Sequence, residues 1–274
     1  MVAVSNTHLV IRIVTPCGGS PADVDITLES VERVVNQLPE LAVRLYRVFN
    51  NGLPASDAQS EKWSFDLVDL DINPAASTAL ARNAALDYIS EESFGSAVDA
   101  DYLLFLDAGD TLLPDLLNEV IVGRVSGDII IGSSLIRSQR GEFRSIRLPL
   151  FFKHIINPIY LGSAVTRTQL ALTQRFVDGR KEDWKYWLAL LGNEPRITKH
   201  HSLNYAYTIA GLGDHALRKS AIIDKQYAFY RDHLQFSAVK SVMMLCFHYL
   251  ALVLLWWVVQ PVVQVFRDDR YRWR

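Results

Sequence analysis

The hydrophobic and polar positions of this chain switch repeatedly between two periods. His8–Pro16 (HLVIRIVTP) is β-branched and apolar, reads as a strand, and stops at a proline followed by the turn CGGSP. The next stretch sets Ile26, Val31, Val34, Val35 and Leu38 at helical spacing. Ala42–Phe49 (AVRLYRVF) alternates as a strand does and breaks at the turn signal Asn50–Pro54. Phe65–Ile72 fits another short strand, and the alanine-rich Pro74–Ser90 fits a helix. Asp101–Asp107 (DYLLFLD) is a short apolar run with an acid at each end, the pattern of a strand buried on both faces. Pro114, a good first-turn residue, then opens a helix over about 113–125.

Strands alternating with helices of about a dozen residues imply a mostly parallel α/β sheet with helices on its flanks. In such sheets ligands bind beyond the carboxyl ends of strands. Three turns therefore become candidate site elements: Pro16–Pro21, Asn50–Pro54 and Asp107–Leu113. From Gly127 to about Leu170 the pattern is more β-rich. Val177–Gly192 reads as a helix with an acidic start, and Arg196–Ile209 as a strand. An amphipathic helix over His215–Phe236 leads into the last segment.

That last segment, Ser241–Phe266, holds no charged residue and is long enough to cross a bilayer. His248, Gln260, Pro261 and Gln264 interrupt it, while Trp256 and Trp257 suit a membrane interface. The basic residues of the preceding helix favour an in-plane or re-entrant anchor, with the arginine-rich tail on the cytosolic side. The expected organisation is a catalytic domain over 1–220 and a hydrophobic, membrane-associating helical segment over 221–274. The N-terminal stretch lacks the charged leader and continuous apolar core of a signal peptide.

Composition narrows this little. The 274 residues carry a formal net charge of −2, which argues against a nucleic-acid partner, since that needs a basic face. Cys17 and Cys246 lie far apart in no metal-type spacing, as in a reducing compartment.

Three stretches carry candidate chemistry. Asp107 and Asp110 flank Gly109 just past a strand end. Hard cations such as Mg²⁺ or Mn²⁺ take oxygen ligands and often bind one or two carboxylates plus substrate phosphates. The same spacing also fits a turn whose aspartates cap backbone N–H groups. Glu182 and Asp183 open a helix. They fit the dipole preference of a first turn, or one of them is a general base held by Trp184, Trp187 and Leu188 beneath it. Arg82 and Asn83 interrupt an alanine-rich helix, either as a solvated patch or as site residues.

Taken in order, the N-terminal strand and turn, ARNAAL, YLLFLDAGDTLLPDLL and EDWKYWLAL resemble glycosyltransferase family 2, over about Leu9–Ser220. The resemblance implies a GT-A-type fold, a Rossmann-like mixed sheet flanked by helices, and sugar transfer from a nucleotide-sugar donor. It places the family's acidic metal motif on Asp107–Asp110, with Asp110 holding Mn²⁺ or Mg²⁺ and Asp107 serving the ribose or the metal. Gly109 stands where relatives commonly carry another acid. The family's base falls on Asp183. Thr15 and Pro16 fall in the turn that cups the nucleotide, and Asn50 and Asn51 stand where many relatives carry a base-reading aspartate. Arg82, Asn83 and Arg218 fall where donor phosphate or sugar is oriented, and His201, beside His200, where some glycosyltransferases add a metal ligand.

The implied activity is inverting, metal-dependent transfer to a glycan acceptor, polyprenyl-linked, at the cytoplasmic face of a bacterial inner membrane, in surface polysaccharide synthesis. A nucleotidyltransferase is the nearest alternative. It would usually carry a basic residue in the first glycine-rich turn, and TPCGGSPAD has none. A non-catalytic membrane-bound scaffold that keeps the fold is the other.

Overall fold

The computed structural model describes residues 9–50, 62–74, 76–92, 101–138, 141–145, 150, 153–155, 157, 159–208, 223 and 226–265. The first half alternates as its periodicity implies. It runs β1 (Leu9–Pro16), α1 (Pro21–Gln37), β2 (Leu41–Phe49), β3 (Asp66–Asp71), α2 (Thr78–Glu92), β4 (Asp101–Phe105), a two-residue β5 (Thr111–Leu112) and α3 (Asp115–Ile121). Then come β6 (Ile129–Ser138), β7 (Gly141–Arg144), a 3-10 turn (Leu161–Ser163), β8 (Ala164–Arg167), α4 (Thr168–Ala171), α5 (Glu182–Leu191) and β9 (Ile197–Thr208).

Helix boundaries follow local chemistry more closely than periodicity. α1 starts at Pro21, ahead of the apolar pattern, because Ser20 and Asp23 form a capping box. α5 starts at Glu182 rather than Val177, because Gly179 (φ 102°) and Lys181 (φ 58°) turn the chain left-handed just before it. α3 is shorter than expected and stops before Gly123 (φ 70°). β5, β8 and α4 are too short to leave a periodic signature.

The described strands form one nine-stranded sheet in the order β3-β2-β1-β4-β8-β6-β9-β5, with β7 paired to β6. β3, β2, β1 and β4 run parallel, β8 is antiparallel to both β4 and β6, and β9 is parallel to β6. The chain leaves β1 toward β2 on one side and returns to β4 on the other. The carboxyl ends of β1 and β4 therefore flank a topological switch point, where an open α/β sheet forms its crevice.

Alternation along the strands sends residues to two layers. Ile11, Ile13, Val43, Leu45, Leu104 and Leu106 pack with Val24, Leu28 and Val31 of α1. The opposite layer meets α2, whose alanines Ala81 and Ala85 are fully buried and allow close approach. A polar knot sits in that second layer. Arg12 Nη2 donates to Asp101 Oδ2 at 3.0 Å, Arg12 Nη1 to the Tyr46 hydroxyl at 2.7 Å, and Tyr46 to Glu92 at 2.9 Å. Pairing of this kind satisfies a guanidinium that would otherwise be costly to bury.

Two compact units divide the chain: Met1–Leu148 with Ile159–Ala210, and Pro149–Pro158 with Gly211–Arg274. In the second unit a π-helical turn (Phe229–His233) precedes a long helix, α6 (Ala238–Val265), whose side chains are described as far as Ala251. Residues 215–222, 224 and 225 of the expected helix over His215–Phe236 lie outside the described residues, and its later part is helical over 226–233. Among the described residues, no helix is long and apolar enough to cross a membrane.

Candidate active site

The turn after β4 is held by α1. Leu106 N–H donates to the Val14 carbonyl at 3.0 Å, which extends the pairing with β1 one residue beyond the end of β4. The turn then closes on itself, Asp110 N–H donating to the Asp107 carbonyl at 3.0 Å. Thr27, fully buried in α1, donates its hydroxyl to the Asp110 carbonyl at 2.9 Å and accepts from Gly109 N–H at 3.0 Å. Ser30, one turn on, accepts from Leu112 N–H at 3.0 Å. Gly109 has φ 94°, so the backbone there requires glycine.

This turn sets two carboxylates at the crevice. Burial, reinforced by the charge of Asp107, pushes the Asp110 carboxyl up to about 8. A cation would stabilise the charged form of a part-buried acid beside a second acid, and two carboxylates offer only oxygen donors, which suit hard ions. Among the described residues, no group of three His, Cys, Asp or Glu side chains could hold a metal ion. A Mg²⁺ or Mn²⁺ here would rest on Asp107 and Asp110 and take its remaining oxygens from substrate phosphates and water, which is how these ions bind in nucleotide sites.

Arg82 ties the turn to α5. Its side chain is 2% exposed, donates from Nη2 to Asp107 Oδ1 at 2.7 Å and reaches Glu182 Oε1 from Nη1 at 3.4 Å. Its guanidinium lies over the Phe176 ring, 5.2 Å from the centroid. Phe176 in turn stacks on Tyr186 of α5 at 4.1 Å. Asn83, next to Arg82, uses both ends of its amide on the Phe176 backbone, at 2.8 and 2.9 Å. Asn83 thus positions the segment that leads into α5.

Asp183 is seated by this framework. Burial raises its carboxyl above the ordinary range and the Trp184 N–H opposes that; Glu182 and Asp107 raise it further, while Arg82 lowers it. Tyr160 is raised by desolvation and by the charge of Asp183, and Tyr205 and Tyr207 both feel Asp110. Lys181 is pushed down to about 8 by burial, with Asp183 opposing, and its Nζ lies 4.9 Å from the Trp184 ring centroid. Trp184, Tyr186 and Trp187 are buried beneath the helix start; Tyr186 takes the anchoring place expected of the half-buried Leu188.

Thr15, Pro16 and Asn50, expected from sequence to form a nucleotide cup, lie at the ends of β1 and β2. Thr15 is buried, and its hydroxyl has no hydrogen-bond partner among the described residues. Pro16 pairs in register with Val48. Asn50 donates to the Ala76 carbonyl at 2.9 Å, while its buried Oδ1 has no hydrogen-bond partner among the described residues. A Cβ on Gly18 would lie 3.0 Å from that oxygen, so the glycine permits the approach. The Cys17 thiol is pushed up to about 12 by burial, which excludes it as a thiolate nucleophile at neutral pH.

Asp107, Asp110, Arg82 and Asp183 thus interact within one crevice. Glu182, which the sequence had already paired with Asp183 as a candidate base, belongs there too, as do Lys181 and the tyrosines Tyr160, Tyr205 and Tyr207, which sequence reasoning missed. The tyrosines are brought in by sheet topology and had no signal in the sequence. His201 lies exposed on β9, where pairing with β6 shifts register, with its ring 4.3 Å from that of His200. Asn51 and Arg218 lie outside the described residues.

No protein-family model matches the sequence, and no curated protein does. Solved structures do match. Residues 1–349 of TarS from S. aureus superpose with a TM-score of 0.56 at 14% identity, over 87% of this chain and 70% of that one. The same protein in complex with UDP-GlcNAc gives 0.57 at 13% identity, over 87% and 71%. The mannosyltransferase PcManGT from Pyrobaculum calidifontis, in complex with GDP-Man and Mn²⁺, gives 0.52 at 12% identity, over 95% and 81%. What the chain shares with these proteins is a fold, a mixed α/β sheet flanked by helices, similar to glycosyltransferase folds.

Proposed function

We propose that the protein is an inverting, metal-assisted glycosyltransferase of the family 2, GT-A type, moving a sugar from a nucleoside-diphosphate donor to a glycan hydroxyl. One observation carries this reading. The buried Arg82 joins Asp107 of the switch-point turn to Glu182 at the start of α5. It thereby brings a two-carboxylate turn and a part-buried third acid, Asp183, to one crevice. The structures that superpose on the chain include complexes with UDP-GlcNAc and with GDP-Man and Mn²⁺.

Thr15, Pro16 and Asn50 line the ends of β1 and β2 as the nucleotide cup. Asp110 and Asp107 would hold a Mg²⁺ or Mn²⁺ ion, which would supply positive charge for the leaving diphosphate. Arg82 fixes the Asp107 side of the site. Asp183 accepts the proton of the acceptor hydroxyl. That oxygen then forms its bond to the anomeric carbon as the bond to the diphosphate breaks with its electron pair. Direct attack from the side opposite the leaving group inverts the anomeric configuration. The C-terminal unit associates with the cytoplasmic face of a bacterial membrane, which suits a polyprenyl-linked acceptor in surface polysaccharide synthesis.

A thermal-shift panel of UDP, GDP and their sugars, each with and without Mn²⁺, tests the reading. The expected result is a metal-dependent stabilisation by one nucleotide family that is lost in Asp110→Asn. No shift with any nucleotide overturns it.

A further inference from the structure

α6 is apolar on nearly every side, its outward face included. As far as Ala251, its exposed side carries Val239, Val242, Met243, Cys246, Phe247 and Leu250. These positions follow the i, i+3, i+4, i+7, i+8, i+11 spacing of a single helical stripe. Val239 is 73% exposed, Met243 53% and Phe247 50%. The opposite side carries Ser241 and His248, both buried, and His248 Nδ1 lies 2.6 Å from the Ile155 carbonyl oxygen. A helix solvated by water turns its apolar stripe inward and its polar residues out. An exposed contiguous apolar stripe marks a partner surface.

Charge indicates which partner. The unit made of Pro149–Pro158 and Gly211–Arg274 holds ten Lys and Arg against five Asp and Glu, although the whole chain holds 28 against 30. Part of this positive charge sits beside the stripe. Lys240 lies on α6 itself, its Nζ 3.8 Å from the Phe236 ring centroid. Lys153 and Lys240 are both close to His154, whose pKa is lowered first by burial and then by these two ammonium groups. The sequence beyond Ala251 continues without charge to Phe266. A second copy of the chain would cover the apolar stripe, but a two-fold interface would also bring these basic groups toward their own copies. An anionic surface meets both features.

We propose that the outward face of α6 docks in the plane of an anionic phospholipid bilayer. The stripe from Val239 to Leu250 enters the acyl boundary, and Lys153 and Lys240 meet lipid phosphates. The proposal rests on the reading of the C-terminal unit as membrane-associating, and does not depend on glycosyl transfer.

Flotation of the full chain with phosphatidylcholine vesicles, with and without phosphatidylglycerol, tests it. The full chain is expected to float with phosphatidylglycerol-containing vesicles and to bind pure phosphatidylcholine at least tenfold more weakly. Binding should fall as salt is raised, and by about fivefold for each of Lys153→Gln and Lys240→Gln. Met243→Asp/Phe247→Asp should abolish flotation while the helical circular dichroism is kept. If that variant does not fold, the lysine variants and the salt titration of the native chain decide. Failure to float with either vesicle, equal binding to both, or undiminished flotation of the folded aspartate variant overturns the proposal. So does a dimer in detergent-free buffer that Phe247→Asp dissociates. The nucleotide thermal shift of the same preparations reports separately on the transferase reading.

Discussion

Gly109 and Asp23 occupy adjoining space. Gly109 N–H donates to the Asp23 carbonyl at 2.9 Å, and a Cβ on Gly109 would lie 3.5 Å from Asp23 Oδ1. An acid at position 109 would face the Asp23 carboxylate from a backbone at φ 94°. Gly109→Ala is expected to destabilise by about 1–2 kcal/mol through backbone strain alone. Gly109→Asp should cost more, and Asp23→Asn in that background should recover the difference. Urea denaturation of the set measures it; equal stability of the alanine and aspartate variants would show that the Asp23 charge is not felt.

Arg82 is expected to tolerate no replacement, because a single ammonium cannot span two carboxylates as a guanidinium does. Arg82→Met should destabilise by about 1–2 kcal/mol, the partners Asp107 and Glu182 being half-exposed and able to recover water. Arg82→Lys should restore most of that stability and little activity. Steady-state rates beside thermal melts separate the two effects. A lysine variant with native turnover would remove Arg82 from the site.

Thr27 is distant in sequence from the acids it positions. Thr27→Val keeps shape but removes the donor to the Asp110 carbonyl and the acceptor for Gly109 N–H, at an expected cost of about 1–3 kcal/mol. The Mn²⁺-dependent part of a nucleotide thermal shift should weaken, while Thr27→Ser keeps both. If the valine variant shows the native metal dependence, α1 does not govern the turn.

The parallel half of the sheet was legible because β1 and β4 read as apolar runs, β2 alternates as a strand does, and α1 carries a clean helical stripe. The switch-point acids were legible for a related reason: Asp107 ends an apolar run at a turn. The antiparallel part was harder. β5 and β8 are two and four residues long, and period-2 alternation needs more positions than that to register. The Arg82 bridge was out of reach for a different reason. Arg82 and Glu182 are 100 residues apart, and local pattern carries no information about such a pair. Asn83 shows the converse: its polarity inside an alanine-rich helix drew notice, but only the fold shows both ends of its amide committed to Phe176.

Asp183 makes a prediction with a sign. A general base works only when ionised, and burial, with Glu182 and Asp107 adding, raises the Asp183 carboxyl above its ordinary value. As pH falls, kcat/KM should therefore drop tenfold per unit through an apparent pKa above the usual carboxylate value of about 4. Arg82→Met removes a charge that lowers this pKa, so the acid limb should move further up. Asp183→Asn should reduce transfer by about 10²–10⁴-fold, abolish the limb in the residual rate and leave nucleotide binding near native. A pH–rate profile of the three proteins at saturating metal measures this. An acid limb that stays in place in Asp183→Asn would assign the proton acceptor to another group.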